Sequence, residues 1–562
     1  MKGSRSFIHH SSFITHHFFL MQRRSPQNIC RDAFDLVVVG AGVNGCGVAR
    51  DASMRGLRVL LLDKGDIAAG TTAASTRLIH GGLRYLEHGE FGLVRESLRE
   101  RETLLRKVAP HLVRPLPMLF PFYAGRRRGR LTVRAGMLGY DLLSSSKSLP
   151  RHRMLTAAEA LRHAPGLARE GLRGAALFYD AQVEYAERLA VENALDAKAR
   201  GASVLTYARV ERLLVEEGAA RGVLFRDLLG GGTHEARACV ILNAAGPWVD
   251  ELLEGSSAES DKLIGGTKGS HVVVRAFEDA PRAAVYVEAL EDGRPFFVVP
   301  WDDKLLIGTT DERYAGDLDR VEADGREVEY LLRETNRVLP AARLTRADVL
   351  YTYSGVRPLP RVAEGREGGI TRRHFIRPAG VRGLFSVVGG KLTTYRSLAD
   401  EAVALIFRAK GRNPPACQTA DVPLPGAAVE DFEAFRRDFN ARSTLPTKSN
   451  ERLLKVYGAR AAEVLRLAQA DAELSQVISA ETGSIAAEVV YSFREELAET
   501  LADCLMRRTM VGLDGQLGLD AAEHAALIAR KFLGWDDGKA SGEVEAYRSY
   551  VERFKPKAFA PA

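Results

Sequence analysis

Three hydrophobic patterns alternate along the chain. The first is an unbroken apolar run, seen at Val37–Val39, Arg58-Val-Leu-Leu-Leu-Asp63, Val240-Ile-Leu-Asn243 and Leu384-Phe-Ser-Val-Val388. Such runs predict strands buried on both faces, as in a parallel sheet covered by helices. The second is strict alternation. It predicts a small antiparallel meander over Ala208–Val215, Ala220–Phe225 and Thr233–Ala238, and a larger antiparallel sheet over residues 268–310, from His271–Arg275, Pro295–Trp301 and Leu305–Thr309. The third is helical spacing. Gly92–Lys107 reads as an amphipathic helix and Val183–Arg200 as a helix, and most of the tail keeps helical spacing, where Leu453, Val456, Tyr457 and Val464 precede Ile485, Val489, Phe493, Leu497, Leu501 and Leu505.

At 562 residues the chain is too long for one core. The patterns divide it into an α/β nucleotide-binding domain over 32–412, a linker rich in proline and small residues over 413–425, and a helical domain over 426–562. The alternating strands at about 250–350, with the basic and apolar segment 121–150, are expected to form a substrate cap inserted into the first domain. Residues 1–31 lack Asp and Glu and are rich in Ser, His and Phe. They are expected to be a disordered extension, or partly the product of a start codon upstream of Met21.

Composition narrows the partners. A net charge of +7 and a pI near 9.1 favour anions, either phosphorylated substrates or acidic lipid surfaces. No basic stretch is interleaved with aromatics, which argues against nucleic acid. The five cysteines are scattered and never paired as C-x-x-C, so neither a disulfide framework nor a bound metal is expected, and a reducing compartment is. No apolar run is long enough to span a bilayer. In 121–150, Arg126-Arg-Arg-Gly-Arg130 is followed by Leu131, Val133, Met137, Leu138 and Leu142. Basic and apolar residues in this arrangement suit docking on an anionic membrane, and equally a solvated loop before a packing helix.

The chemistry starts at Val39-Gly-Ala-Gly-Val-Asn-Gly45. In this G-x-G-x-x-G, Gly40 makes the tight turn, Gly42 lets backbone approach a pyrophosphate, and Gly45 allows close helix–strand packing. Asp63 closes the next strand about 20 residues on, where a ribose-binding acid belongs. The motif admits nicotinamide and flavin alike. Residues 64–87, crowded with small and hydroxyl side chains, should cross the cofactor as a loop.

Further stretches carry a resemblance. These are Leu78-Ile-His-Gly-Gly-Leu-Arg-Tyr-Leu-Glu87, Asn243-Ala-Ala-Gly-Pro-Trp248, Lys268-Gly-Ser-His271, Ile307-Gly-Thr-Thr-Asp311, Tyr353-Ser-Gly-Val-Arg-Pro-Leu359, Gly389-Gly-Lys-Leu-Thr-Thr-Tyr-Arg396 and Arg507-Arg-Thr509. Together with the glycine motif they resemble the membrane-associated, FAD-dependent glycerol-3-phosphate dehydrogenases, within the D-amino-acid-oxidase-like flavoenzymes. The family more often has Glu where Asp63 stands. The tail carries no EF-hand pattern, as in the bacterial members.

The resemblance implies a Rossmann-like FAD-binding domain with an antiparallel cap and a helical C-terminal domain. It implies oxidation of glycerol 3-phosphate by FAD, with electrons passed to a membrane quinone, at the inner face of the cytoplasmic membrane; a homodimer is a further possibility. Carried over by motif, the FAD contacts are Gly40, Gly42, Asn44, Gly45, Asp63, Ser75, His80, Gly81, Gly82, Gly246, Gly390, Lys391, Leu392 and Thr393. Arg84, Tyr85, Arg372 and Lys391 match the substrate-binding residues, His271 is the candidate base, and Arg357 would polarise or anchor the C2 oxygen. A bland reading makes His271 a packing histidine and His80 a buried, hydrogen-bonded one. Rival functions are an FAD-dependent oxidase of this or another small acid, a non-catalytic FAD-binding module that docks on membranes, and a nicotinamide dehydrogenase.

Overall fold

A computed structural model of the chain describes residues 23–125, 128–144, 148–254, 262–362 and 370–557. In chain order the first half lays down β1 (Ala33–Val39), β2 (Val59–Leu62), β3 (Leu78–Ile79), β4 (Val113–Tyr123), β5 (Arg153–Leu155), β6 (Leu172–Val183), β7 (Ser203–Leu205), β8 (Ala208–Glu216), β9 (Ala219–Asp227) and β10 (Thr233–Asn243). The second half adds β11 (Thr267–Arg275), β12 (Ala284–Glu288), β13 (Pro295–Trp301), β14 (Lys304–Gly308), β15 (Glu312–Arg313), β16 (Val349–Arg357), β17 (Phe375–Pro378) and β18 (Leu384–Val388).

The apolar runs become one sheet in the order β17-β18-β10-β1-β2-β7, with β18, β10, β1, β2 and β7 parallel. Helices Val43–Met54, Ala186–Ala199 and Tyr395–Ala409 pack together on one face, and β8, β9 and the helix Val249–Glu254 cover the other, which accounts for the absence of alternation in its strands. The expected meander is part of this sheet. Its third strand and the run at Val240 are one continuous strand, β10, antiparallel to β9 at Thr233–Arg237 and parallel to β1 from Arg237 to Asn243.

The second sheet runs β15-β11-β14-β13-β12-β4-β6-β3, with β16 on β11 and β5 on β6. Besides the strands between 268 and 310, it takes in β3 to β6, which the alternation pattern did not reveal. Pro115, Pro117 and Pro121 obscure β4. Being at alternate positions they direct their missing N–H toward one edge, and β12 pairs there only at Met118 and Leu119.

The tail is helical from Phe432 to Val551 apart from a two-stranded ribbon, Val477–Ser479 with Ser484–Ile485. It docks on the first domain through buried charge: Glu496 accepts from Arg188 at 2.6 and 2.8 Å and from Arg460 at 2.6 Å. Residues 1–22 lie outside the described residues, as do Arg126 and Arg127. Residues 23–31, expected to be disordered, are ordered. Pro26–Ile29 forms a helical turn with Ile29 buried, and Arg23 donates to Asp227 at 2.7 Å and to the Thr206 carbonyl at 3.0 Å.

Candidate functional site

The C-terminal ends of β1, β10 and β18 lie side by side, the place where open α/β sheets bind ligands. Gly40 leaves β1 with φ +106°, and a Cβ there would stand 2.6 Å from the Ala244 carbonyl oxygen. At Gly45 it would lie 1.8 Å from the Gly40 oxygen, so only glycine lets the helix Val43–Met54 start this close to the strand. Asp63 accepts from the Ala41 N–H at 2.6 Å and the Gly65 N–H at 2.7 Å, which ties the two strand ends together. Burial still pushes its carboxyl above the usual range.

A cleft of about 980 Å³ opens over these turns, lined by Gly40, Gly42, Asn44, Asp63, Ser75, Gly246, Gly390, Lys391 and Leu392. Asn44 Oδ1 and Trp248 Nε1 also belong to its wall and are buried without a hydrogen-bond partner. Glycine backbone, an acid at the second strand and unanswered polar atoms suit a long dinucleotide. The other predicted cofactor contacts make different contacts here. The His80 N–H donates to Thr393 Oγ1 at 3.1 Å, and the Gly81 N–H donates to Tyr140 at 2.9 Å and Asp180 at 3.3 Å. Gly82 has φ +80° and lies against the Tyr85 ring. Burial, with Lys391 adding to it, pushes the His80 pKa down to about 4.

Of the predicted catalytic and substrate residues, His271 and Arg357 stand on strands of the second sheet, Arg84 and Tyr85 on the turn after β3, and Arg372 and Lys391 beside β17 and β18 of the first. β11 carries His271, with Gly308 of β14 on one side and Tyr353 of β16 on the other. The imidazole stacks on the Tyr353 ring at 4.7 Å, and its Nε2 is 2.9 Å from Thr76 Oγ1. Its Nδ1 is buried and unpartnered. Burial first, then Arg357 and Arg77, hold its pKa well below that of an exposed histidine.

Arg357 ends β16. Its guanidinium donates to Asp311 Oδ1 at 3.0 Å, to Thr309 Oγ1 at 3.0 Å and to the Thr310 carbonyl at 3.1 Å. Arg372 takes the other oxygen of the same acid at 3.2 Å. Burial works against the Asp311 carboxylate, yet the two arginines keep it below the usual range. Two cations share one anion. Burial pushes the Tyr85 phenol pKa up, with Arg372, Arg357 and Arg84 pulling against it, and Lys391 lies over its ring at 4.6 Å while donating to Ser97 at 2.9 Å. Burial lowers the Lys391 pKa to about 8.

Sequence reasoning named these cations and missed what fixes them. Thr76, Thr309 and Asp311 orient His271 and Arg357. Gly269 and Gly308 leave room for them, since added Cβ atoms would stand 2.2 Å from Arg357 Nη2 and 2.4 Å from His271 Cδ2. Asp311 and both glycines lay inside quoted motifs, where an acid beside expected arginines was a readable signal.

Comparison with known proteins adds the following. A family model described as FAD dependent oxidoreductase matches residues 35–396, and one described as C-terminal domain of alpha-glycerophosphate oxidase matches residues 417–540. The glycerol-3-phosphate dehydrogenase of Synechocystis sp. is 43% identical, covering 94% of this chain and 98% of its own. The chain belongs to the FAD-dependent glycerol-3-phosphate dehydrogenase family. A solved member from Bacillus halodurans, complexed with FAD, superposes with a TM-score of 0.76 at 28% identity, over 95% of this chain and 98% of that one. The family also brings a relative with another substrate name, D-erythritol 1-phosphate dehydrogenase of Brucella abortus, 37% identical over 88% of this chain and 97% of that protein. The cofactor expected from the motifs, FAD, is the cofactor of this fold.

Proposed function

We propose that the protein oxidises sn-glycerol 3-phosphate to dihydroxyacetone phosphate and passes the electrons to a membrane quinone. The observation that carries this reading is the shared carboxylate: Arg357 and Arg372 both rest on Asp311, so a cluster with more cations than anions stands beside an imidazole that burial keeps neutral. A phosphate dianion supplies the missing charge. Arg84, Arg372 and Lys391 would hold it through charge-assisted hydrogen bonds, with the Tyr85 hydroxyl as a further donor.

With Nε2 engaged by Thr76, Nδ1 of His271 is the nitrogen left to take the proton from the C2 hydroxyl. Arg357, fixed by Asp311 and Thr309, would orient that oxygen and stabilise its charge as the proton leaves. FAD, when bound, accepts the hydride from C2. Gly40, Gly42, Asp63, Gly246 and Gly390 are the residues that would hold it.

Membrane docking is supported by the helix Arg130–Leu143. Val133, Met137 and Tyr140 face the core, while Leu131, Leu138 and Leu142 are 79%, 55% and 81% exposed. Among the described residues no helix is long and apolar enough to cross a membrane. An apolar stripe next to Arg130 and Arg134 suits peripheral attachment to an anionic bilayer, at the inner face of the cytoplasmic membrane.

Steady-state turnover of purified holoenzyme with an artificial dye acceptor tests the reading. Glycerol 3-phosphate should turn over at least tenfold more efficiently than D-erythritol 1-phosphate, with little hydrogen peroxide. No turnover with FAD bound would overturn the assignment. Preference for the erythritol ester would reassign the substrate, and stoichiometric peroxide would make the enzyme an oxidase.

A further inference from the structure

β3 pairs with β6 only through Leu78 with Gln182 and Ile79 with Ala181. Beyond Ile79 the chain turns at Gly81 and Gly82 into Leu83–Leu86, the helical turn that carries Arg84 and Tyr85. Asp180, the next residue of β6, takes over from the ladder with its side chain. Its Oδ1 accepts the Gly81 N–H at 3.3 Å, and the Tyr140 hydroxyl accepts the same N–H at 2.9 Å. That hydroxyl stands 2.8 Å from both Asp180 oxygens. A Cβ on Gly81 would collide with it, so the turn is seated directly on Tyr140. One residue back, the His80 N–H is tied to Thr393 Oγ1 at 3.1 Å. The root of the substrate turn is thus fixed by side chains where backbone pairing has ended.

The helix Phe91–Thr103 brings the charges to this point. Ser97 and Arg101 lie one turn apart on its buried side. Ser97 accepts from Lys391 Nζ at 2.9 Å, and Arg101 donates to Asp180 Oδ1 at 2.7 Å. Arg101 also donates to Glu102 at 2.9 Å, so one guanidinium answers two carboxylates. The remaining negative charge is answered by Lys391, whose ammonium the Ser97 bond keeps on the same side of the helix. The groups that face Lys391 are Asp180 of β6, Glu90 and Glu96 at the start of the helix, Arg372 beside β17, and His80 and the Tyr85 ring of the turn. Among the acids Asp180 acts on it most strongly, against burial and Arg372.

We propose that Asp180 is a positioning residue for the reaction: with Tyr140 it fixes the turn that presents Arg84 and Tyr85, and it supplies the counter-charge that keeps Lys391 cationic for the substrate phosphate. This rests on reading Arg84, Tyr85 and Lys391 as substrate ligands. Asp180 acts through them, since its own oxygens face Tyr140, Arg101 and the Gly81 N–H. The two roles separate chemically. Asp180→Asn can keep the Gly81 bond through its remaining oxygen and loses the charge. Asp180→Glu keeps the charge and displaces the oxygens, and Tyr140→Phe keeps the acid while removing the hydroxyl under Gly81.

The test is KM for glycerol 3-phosphate measured by dye-linked turnover of the holoenzyme from pH 7 to pH 9.5, where the substrate phosphate stays a dianion. In wild type KM should climb above about pH 8, as Lys391 loses its proton. In Asp180→Asn the climb should begin about one pH unit lower, with a larger change in KM than in kcat. Asp180→Glu and Tyr140→Phe should leave the onset of the climb in place and raise KM about fivefold at every pH. A network that only holds the fold together would lower the unfolding temperature without moving the onset. An unmoved onset in Asp180→Asn overturns the electrostatic role, and an unchanged KM in Tyr140→Phe overturns the seating of the turn. Should Asp180→Asn fail to fold, Asp180→Glu decides: an onset displaced although the charge is retained overturns the counter-charge. A wild-type KM that stays flat to pH 9.5 removes Lys391 from the substrate site and this proposal with it, whereas a climb that Asp180→Asn does not move counts against Asp180 alone.

Discussion

Arg508 donates to both carboxylate oxygens of Asp66, at 2.9 and 2.7 Å, and neither side chain is exposed. Asp66 follows closely after Asp63 in the cofactor loop, while Arg508 belongs to the helical domain, with Arg507 adding a third bond at 2.6 Å. Burial opposes the Asp66 charge, and the two arginines nonetheless hold its pKa below the usual range. Arg508→Met leaves the acid buried and underpaired, at a cost of about 3–5 kcal/mol. The expected result is a lower unfolding temperature together with faster FAD release, read from the rise in flavin fluorescence. Loss of stability with normal FAD retention would show that the pair serves docking alone.

Gly269→Ala places a methyl group against the Arg357 guanidinium, whose flexible end can move aside. The fold should survive, with an unfolding temperature close to wild type. Displacing the guanidinium from Asp311 and Thr309 should lower kcat/KM about 100-fold. Unchanged kinetics would remove Arg357 from the catalytic reading.

The pH profile should be asymmetric. His271 is kept neutral by burial, with Arg357 and Arg77 contributing, so kcat at saturating substrate should stay level from pH 8 down to pH 6. The unfolded chain does take up that proton below about pH 6.5, so His271 costs the fold stability as pH falls through this value. On the alkaline side Lys391 loses its charge above its pKa of about 8, and KM should climb there. Lys391→Met should flatten the climb, and His271→Gln should lower kcat by about 10²–10⁴-fold. A kcat that falls with an apparent pKa near 6.5, and loses that fall in His271→Gln, would show an ordinary histidine.

The leucine stripe gives a surface test. Leu131→Glu with Leu142→Glu should weaken sedimentation with anionic liposomes by about tenfold and leave dye-linked turnover in solution unchanged, since both side chains are exposed. Unaltered partitioning would move the membrane contact elsewhere.

Much of this was legible in the sequence because period and burial are local. The runs at Val37, Leu60 and Leu384 reported strands covered on both faces, and the glycine spacing reported a turn that a Cβ would block. What escaped was non-local. β4, its alternation hidden by prolines, becomes a strand only through β6, which meets it along almost its whole length. Thr76 gains meaning only when β3 and β11 come into the same sheet. The N-terminal residues 23–31 read as disordered by composition, yet Asp227 and the Thr206 carbonyl wait for Arg23 some two hundred residues on.

The cap sheet is closed by one narrow seam, β12 lying parallel to β4 through Ala284 and Val285 against Met118 and Leu119. Arg84 and Tyr85 arrive on the near side of that seam, His271, Arg357 and Arg372 on the far side. During synthesis the first half waits with an open strand edge for about 160 residues of chain before its partner emerges. The site is thus among the last features to exist. A polypeptide released before residue 357 lacks Arg357, Arg372 and the Gly390 side of the nucleotide cradle, whereas mistakes at the seam in a full-length chain would produce flavin-bound but inert protein.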